Sequence, residues 1–412
     1  MAQTTYHWGL HAWAMYAVVG GAIAYATYRR GRVPLLSAVF TTLLGKERAS
    51  GWIGKVIDIA AIFATLFGTA ASLGLAAMSI GEGVRIVADW SEVANGVLIG
   101  ILGVLTAGFV ISAVSGVSRG IRYLSTINLT LTLLFTLFVF LAGPTLFLLN
   151  LIPSGLMSYF NEMFAMMSKS VSWGEETQDF QSTWTVFYWA WWISWTPFVG
   201  TFISRISRGR TIREFVVVVL LAPTRVLHTE YTVMGGTTIY FSREGREGFD
   251  GELTPEQQLF ALVNELPAAG IVTIVVMVCL SIFFITSADS ASVIMGTLSQ
   301  KGDTNPKKFG VIFWGLAMMG IAVVMLLTGG ETALTGLQNL VIVTALPFAI
   351  VLLAMMWAFY RELQTDPYTL RHSYARRAIA TAVRRGIAEH GDEFEISVEE
   401  AREGHSAAGD ID

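Results

Sequence analysis

Charge is scarce in this chain. Asp, Glu, Lys and Arg make up 14% of its 412 residues, while 53% are hydrophobic; a soluble domain carries about 25% charged residues. That shortage fits a chain whose main solvent is lipid. Cysteine is almost absent: Cys279 is alone and sits in an apolar run, which excludes a disulfide framework and a cysteine metal site. The six histidines are scattered, which argues against a metal cluster. Long stretches of alternating polarity are lacking, which excludes a β-barrel. The first residues have no basic n-region or cleavage pattern, so no signal peptide is expected. No apolar segment holds a nucleophile–base pair or a metal constellation, so an enzyme is not expected, and neither is a cofactor or a nucleic-acid partner.

What the chain has is long hydrophobic runs. A bilayer-spanning helix needs roughly 20 mostly apolar residues. Nine segments qualify, at about 7–28, 53–82, 96–118, 122–150, 183–204, 213–238, 268–298, 309–329 and 336–360. Basic residues recur in alternate loops: Arg29, Arg30, Arg32, Lys46 and Arg48; then Arg119 and Arg122; then Arg205, Arg208, Arg210 and Arg213; then Lys301, Lys307 and Lys308; then Arg371, Arg376 and Arg377. The intervening loops are acidic or poor in basic residues, at 82–92, 175–179, 247–256 and Glu331. The positive-inside rule then makes the odd-numbered loops and the C-terminus cytoplasmic. Nine spans with a cytoplasmic C-terminus place Met1 outside, so either the N-terminus is translocated or an odd number of upstream spans is missing. Residues 151–170 read as an amphipathic interfacial helix, and Thr254-Pro255-Glu256 as a helix start.

The most specific run is Trp184 to Gly200, with tryptophan at 184, 189, 191, 192 and 195. On a helix Trp184, Tyr188, Trp191 and Trp195 share one face, with Trp189 and Trp192 on another. Interface belts place one or two tryptophans at each end of a span, so five within one span need another cause. One reading is recognition of a desolvated quaternary ammonium, at ~2 kcal/mol or more per favourable contact; the other is aromatic packing between helices. Thr196-Pro197 and Gly200 follow. A proline frees a backbone carbonyl, and such breaks mark transporter binding sites near the midplane; a simple kink is the alternative.

Trp184 to Phe215, together with Phe283-Phe-Ile-Thr-Ser-Ala-Asp-Ser-Ala-Ser292 and Gly120-Ile-Arg-Tyr-Leu-Ser125, closely resembles the betaine/choline/carnitine transporter family. The similarity runs from His7 to about Tyr360. It implies an all-α membrane protein of the plasma membrane, with the inverted five-helix-repeat fold of the leucine-transporter type. Members have twelve spans, and these nine match the fourth to the twelfth, so the first core helix is expected to be missing. Residues 1–150 then hold family helices 4–7, 151–182 the interfacial helix and external loop, 183–360 helices 8–12, and 361–412 a cytoplasmic tail, basic then acidic. The implied function is import of a quaternary-ammonium solute such as glycine betaine or choline, coupled to sodium, by alternating access with a tryptophan cage. A truncated or decayed fragment that does not transport is the alternative. A homotrimer is a common state of members.

The resemblance also implies site residues. Trp8, Trp13 and Tyr16 match aromatic residues of the family's pocket and pathway, as do Trp191, Trp192 and Trp195, with Phe187 a pathway aromatic. Thr286 and Ser287, with the Phe283 carbonyl, match one sodium site. Thr65 and Thr69, with Phe198, match the other, and Ser72 continues that face. Serine and threonine in membrane helices also bond back to their own helix, which is the alternative reading of Thr65, Thr69, Thr286 and Ser287. Residues 123–150 contain no Lys or Arg, which favours sodium coupling over a fixed-charge substitute. Asp289 is an intramembrane carboxylate and reads as functional. The sequence departs from the family at Arg225, His228 and Glu230, where relatives are apolar or aromatic. A sequence error or decayed gene is the leading reading there, and a polar pathway the alternative.

Overall fold

The computed structural model describes residues 1–115, 118–249, 251, 253–329 and 333–395. The acidic end beyond 395, Glu331, and the side chains of Arg119 and Arg122 lie outside the described residues. Among those described there is no strand; the chain is helical throughout. It divides into two units, Met1–Phe359 and Tyr360–Asp412.

In chain order the helices are α1 (Ala2–Trp8), α2 (Leu10–Ala24), the short α3 (Leu36–Val39), α4 (Thr41–Leu44) and α5 (Lys46–Ser50), then α6 (Trp52–Ala88), α7 (Asn95–Ser115), α8 (Ser118–Ala142), α9 (Thr145–Ser168), α10 (Glu175–Phe180), α11 (Phe187–Ile206), α12 (Ile212–Arg243), α13 (Pro255–Asn264), α14 (Ala269–Ser299), α15 (Lys308–Gly329), α16 (Ala333–Gln364) and α17 (Pro367–His390). π-Helical turns extend α2 over Tyr25–Arg29 and lead into α11 over Gln181–Val186.

Among the described residues each expected span is helical, and six helices are long and apolar enough to cross a membrane: α6, α7, α8, α14, α15 and α16. The first, fifth and sixth expected spans fall short, each for its own reason. The first is broken at Gly9 into α1 and a 15-residue α2. The fifth is crowded with tryptophan and tyrosine, whose polar ring atoms lower its hydropathy. The sixth carries Arg225, His228 and Glu230. α2 packs between α11 and α12.

Local chemistry sets the ends. The expected fourth span, 122–150, stops at Ala142 because Pro144 restricts the residue before it. Residues 145–150 instead join the expected interfacial helix to make α9. Thr211 and Glu214 form a reciprocal capping box at α12, and Thr254 and Gln257 form one at α13, which starts with Pro255 as the sequence implies. Asp58 on α6 accepts bonds from the Ser37 N–H (3.0 Å) and the Ser37 hydroxyl (2.7 Å), fixing the start of α3 from a distant helix.

The centre of the first unit is α6, far more enclosed than the other five apolar helices. α14, α15, α7 and α11 pack around it. Its inner face is built from Ala61, Ala64, Ala70 and Ala77, all fully buried, and small residues of this kind let helices approach closely in lipid. At Gly68 the approach is closest: a Cβ there would stand 2.8 Å from Ser194 Cβ and 3.2 Å from Trp195 Cδ1 on α11. The second unit is the end of α16 followed by α17, whose first turn is capped by Asp366, accepting from Tyr368 N–H at 2.8 Å.

Candidate functional site: an aromatic cluster between α1, α2, α11 and α12

The expected tryptophan face forms. Trp184 stacks on Tyr188 with ring centroids 6.1 Å apart, Tyr188 on Trp191 at 6.2 Å and 9° between planes, and Trp195 meets Trp191 edge-on at 6.3 Å. This ladder follows from the i, i+3, i+4 spacing of aromatic residues on one helix. Trp192 and Trp189, expected on another face, turn toward α1 and α2. Trp189 sits against Tyr6 (5.6 Å) and His11 (5.5 Å).

The cluster centres on Trp8, the last residue of α1. Its ring meets Trp192 edge-on at 4.5 Å, Tyr188 at 5.5 Å and Trp191 at 6.1 Å. From the other side Tyr231 of α12 approaches it at 5.0 Å. Trp191 and Trp192 are nearly parallel, 6° apart, with centroids at 6.0 Å. Tyr16 lies 6.0 Å from Trp192 and 5.3 Å from Trp13. Phe187 is buried and packs at 5.2 Å on Trp191. The structure therefore brings Trp8, Trp13, Tyr16, Phe187, Trp191, Trp192 and Trp195 into one connected set of rings. It adds Tyr188 and Tyr231, neither of which the resemblance assigned.

Indole N–H groups need acceptors when buried, and two of them anchor the cluster. Trp191 Nε1 donates to Ser72 Oγ at 2.9 Å, which ties α11 to α6. Trp192 Nε1 donates to the His7 carbonyl at 2.8 Å. That carbonyl belongs to the C-terminal turn of α1, where backbone acceptors lack helical partners. Gly9 makes the break possible: a Cβ there would run into the Thr5 carbonyl, with Thr224 Cγ2 at 3.3 Å. Trp195 Nε1 and the Tyr16 hydroxyl are buried without a partner.

Pro197 does not open α11. The helix is continuous through it. The carbonyl released by the proline is that of Ile193, four residues back, and the Thr196 hydroxyl donates to it at 2.7 Å. The expected freeing of a carbonyl is thus cancelled by the adjacent side chain.

The two expected cation sites differ. Thr65 and Thr69 are fully buried, and neither hydroxyl has a partner. This is unusual, because Ser72 and Ser79 on the same helix donate back to Gly68 and Leu75 carbonyls. Gly68, between the two threonines, is the point of closest approach to Ser194 and Trp195, and Phe198 is buried in the same core. Thr286 instead donates to its own helix, to the Ile282 carbonyl at 2.9 Å and the Phe283 carbonyl at 3.2 Å. Ser287 is half-buried and Phe283 is exposed. Orphaned buried oxygens suit a hard, weakly charged cation; the Thr286 hydroxyl spends its proton on its own helix and keeps its lone pairs. Asp289 is buried, with no ion-pair partner among the described residues.

The ionisable residues of α12 separate in space. Arg225 and Glu230 line a groove of about 420 Å³ with Thr229 and, across from them, Leu133 and Thr136 of α8. His228 points the other way. It is buried, with Nδ1 2.8 Å from Thr5 Oγ1 and Nε2 2.8 Å from the Ile152 carbonyl.

Comparison with known proteins follows the same lines. The model of the betaine/carnitine/choline transporter family matches residues 1–368. The chain is 57% identical over 412 residues to the betaine/ectoine transporter LcoP of Corynebacterium glutamicum, covering 100% of this chain and 65% of the relative. It is 37% identical over 366 residues to the glycine betaine transporter OpuD of Bacillus subtilis (89% and 70%). Glycine betaine transporter 1 of Vibrio parahaemolyticus is 38% identical over 368 residues (89% and 69%). The chain thus spans about two thirds of the length of these curated relatives. Six apolar helices among the described residues, a connected cluster of tryptophans and a match over most of its length agree: this multi-pass membrane chain belongs to the betaine/carnitine/choline family of transporters.

Proposed function

We propose that this chain carries a small quaternary-ammonium solute, glycine betaine, choline or a relative, across the plasma membrane by sodium-coupled alternating access. The observation that supports it is the ring cluster around Trp8. The parallel indoles of Trp191 and Trp192 meet the edge of Trp8, with Tyr188 and Tyr231 beside it. A trimethylammonium group has no proton to donate, so hydrogen-bond acceptors gain little from it. It gains from aromatic faces, at about 2 kcal/mol or more per desolvated contact. Two such faces correspond to roughly a thousand-fold in affinity. Trp8 and Trp192 now meet edge-on at 4.5 Å, so a solute that enters between them parts that contact.

Sodium enters at Thr65 and Thr69. Their two unpartnered hydroxyls, deep between α6 and α11, are suited to a cation that asks for neutral oxygens. Phe198 lies beside them on α11, and Thr286 with Ser287 and Phe283 forms the second set. The C-terminal tail is cytoplasmic in this reading, and the carrier assembles as a homotrimer.

Uptake of labelled glycine betaine into proteoliposomes, with and without an inward sodium gradient, tests the proposal. Saturable uptake that needs sodium is expected. Trp191→Ala should abolish it, and Thr65→Val with Thr69→Val should leave the fold intact while removing the sodium dependence. Uptake indifferent to sodium would overturn the coupling, and no binding of any trimethylammonium solute would overturn the whole reading.

A further inference from the structure

We propose that His228 is a positioning residue for the aromatic cage: it holds α1 in place and so sets where Trp8 stands. For its transport readout the proposal rests on the solute reading above.

α1 is seven residues long. A helix that short has no independent stability, and Gly9 uncouples it from the start of α2. Its position is therefore set by tertiary bonds, and His228 supplies the one that reaches across to α12. The ring is buried and has both nitrogens in use. Nε2 lies 2.8 Å from the Ile152 carbonyl, which can only accept, so Nε2 carries the proton. With Nε2 carrying the ring proton, Nδ1 accepts from the Thr5 hydroxyl at 2.8 Å, the shorter of two contacts that share its single proton, the other being the Met1 carbonyl at 3.1 Å. One imidazole thus joins three helices: α12 to α9 through Ile152 and to α1 through Thr5.

The spacing carries that bond to the cage. Trp8 is three residues beyond Thr5 on α1, and Tyr231 is three residues beyond His228 on α12. The two helices run antiparallel: Gly9 lies against Thr224, Thr5 bonds His228, and Met1 reaches Gly235. Trp8 and Tyr231, each one turn from a partner of that bond, meet across the pair with 5.0 Å between centroids. A small space between α1 and α12 is lined by Thr5, Trp8, Gly9, Thr224, His228 and Tyr231. On the far side of α1, Trp192 Nε1 bonds the His7 carbonyl, and His7 Nε2 lies 3.0 Å from Thr185 Oγ1. α1 is clipped from both sides, so loss of the Thr5–His228 bond lets Trp8 move relative to Trp192 without unfolding the bundle. A histidine inside an apolar helix is costly; here both nitrogens are satisfied, and that distinguishes it from Arg225 and Glu230 on the groove side.

Two substitutions of His228 separate its two bonds. The Asn side-chain oxygen falls near the place of Nδ1, and the Gln amide nitrogen near the place of Nε2. His228→Asn therefore keeps the bond to Thr5 and loses that to Ile152; His228→Gln does the reverse. Thr5→Ser keeps the hydroxyl and Thr5→Val removes it. In the full 412-residue chain reconstituted in liposomes, His228→Gln and Thr5→Val should raise the KM for glycine betaine about ten-fold, the scale of one buried hydrogen bond, with the maximal rate little changed. Both should also speed amide hydrogen exchange in residues 2–9. His228→Asn and Thr5→Ser should stay near wild type in both readouts. Unchanged KM and exchange in His228→Gln and Thr5→Val would overturn the proposal, and so would an equal fall in rate and yield across all four, which marks a merely structural residue. If wild type takes up no betaine, the solute reading fails, while the exchange rates of the same four variants still decide whether His228 holds α1.

Discussion

Gly68→Ala offers a sharp test of how α6 and α11 meet. The added methyl would stand 2.8 Å from Ser194 Cβ and 3.2 Å from Trp195 Cδ1, with Ser194 Oγ nearer still. Carbon atoms in contact prefer about 3.5–4.0 Å, so the two helices must separate by a large part of 1 Å, on the order of the overlap itself. Ser194 cannot swing away cheaply, because its hydroxyl donates to the Trp191 carbonyl at 2.7 Å. Overpacking of this kind costs about 1–3 kcal/mol. At roughly 2–4 °C per kcal/mol for a large domain, the purified protein should melt several degrees lower, read by thermal aggregation followed by size exclusion. Gly100→Ala on α7 is the matched control, because a Cβ there meets nothing within 4 Å, and it should melt at or above wild type. Ser194→Gly removes both offending atoms, so the Gly68→Ala/Ser194→Gly double variant should be more stable than the sum of the singles by about 1 kcal/mol or more. A Gly68→Ala protein as stable as wild type, or strict additivity with Ser194→Gly, would refute the close approach.

Three further outcomes follow from the site and its supports. Trp192→Phe keeps a ring but leaves the His7 carbonyl without its indole donor; a loss of about 1 kcal/mol in stability is expected, with weaker binding of glycine betaine by fluorescence titration. Ser72→Ala removes the acceptor of the Trp191 N–H, and betaine binding should weaken several-fold, about 3–10-fold on the scale of one hydrogen bond, while expression stays normal. Asp58→Asn weakens the clasp on Ser37, whose bonds to a charged oxygen are worth about 1.5–3 kcal/mol; limited proteolysis should cut within residues 30–51 faster.

The long helices were legible because each is a hydrophobic run with charged or turn-forming ends, and the tryptophan ladder because helical spacing decides which rings share a face. Other features depend on information that a run of residues does not carry. Gly9 breaks the first segment because α1 has partners on α9, α11 and α12, and nothing local marks it. The π-helical turn over Gln181–Val186 has no residue signature. Pro197 looks like a helix breaker until Thr196 is seen to cap the carbonyl it frees. The resemblance assigns Thr65 and Thr69 to a sodium site, with back-bonding as the alternative; only burial between α6 and α11, with neither hydroxyl partnered, distinguishes them from Thr286. His228 looked like damage because its two partners are remote in sequence, at Thr5 and Ile152.

The Thr196–Ile193 bond has a mechanical consequence. In an uninterrupted helix each turn is fastened by amide bonds, and bending means straining or breaking them. At Pro197 the fastening is a hydroxyl on a single rotatable bond. It can follow a change of angle, or let go and re-form, without any backbone group losing its register. The half of α11 that carries Trp191, Trp192 and Trp195 can therefore tilt against the half that ends at Ile206 about a point two residues past the last tryptophan, and both halves stay helical as they move.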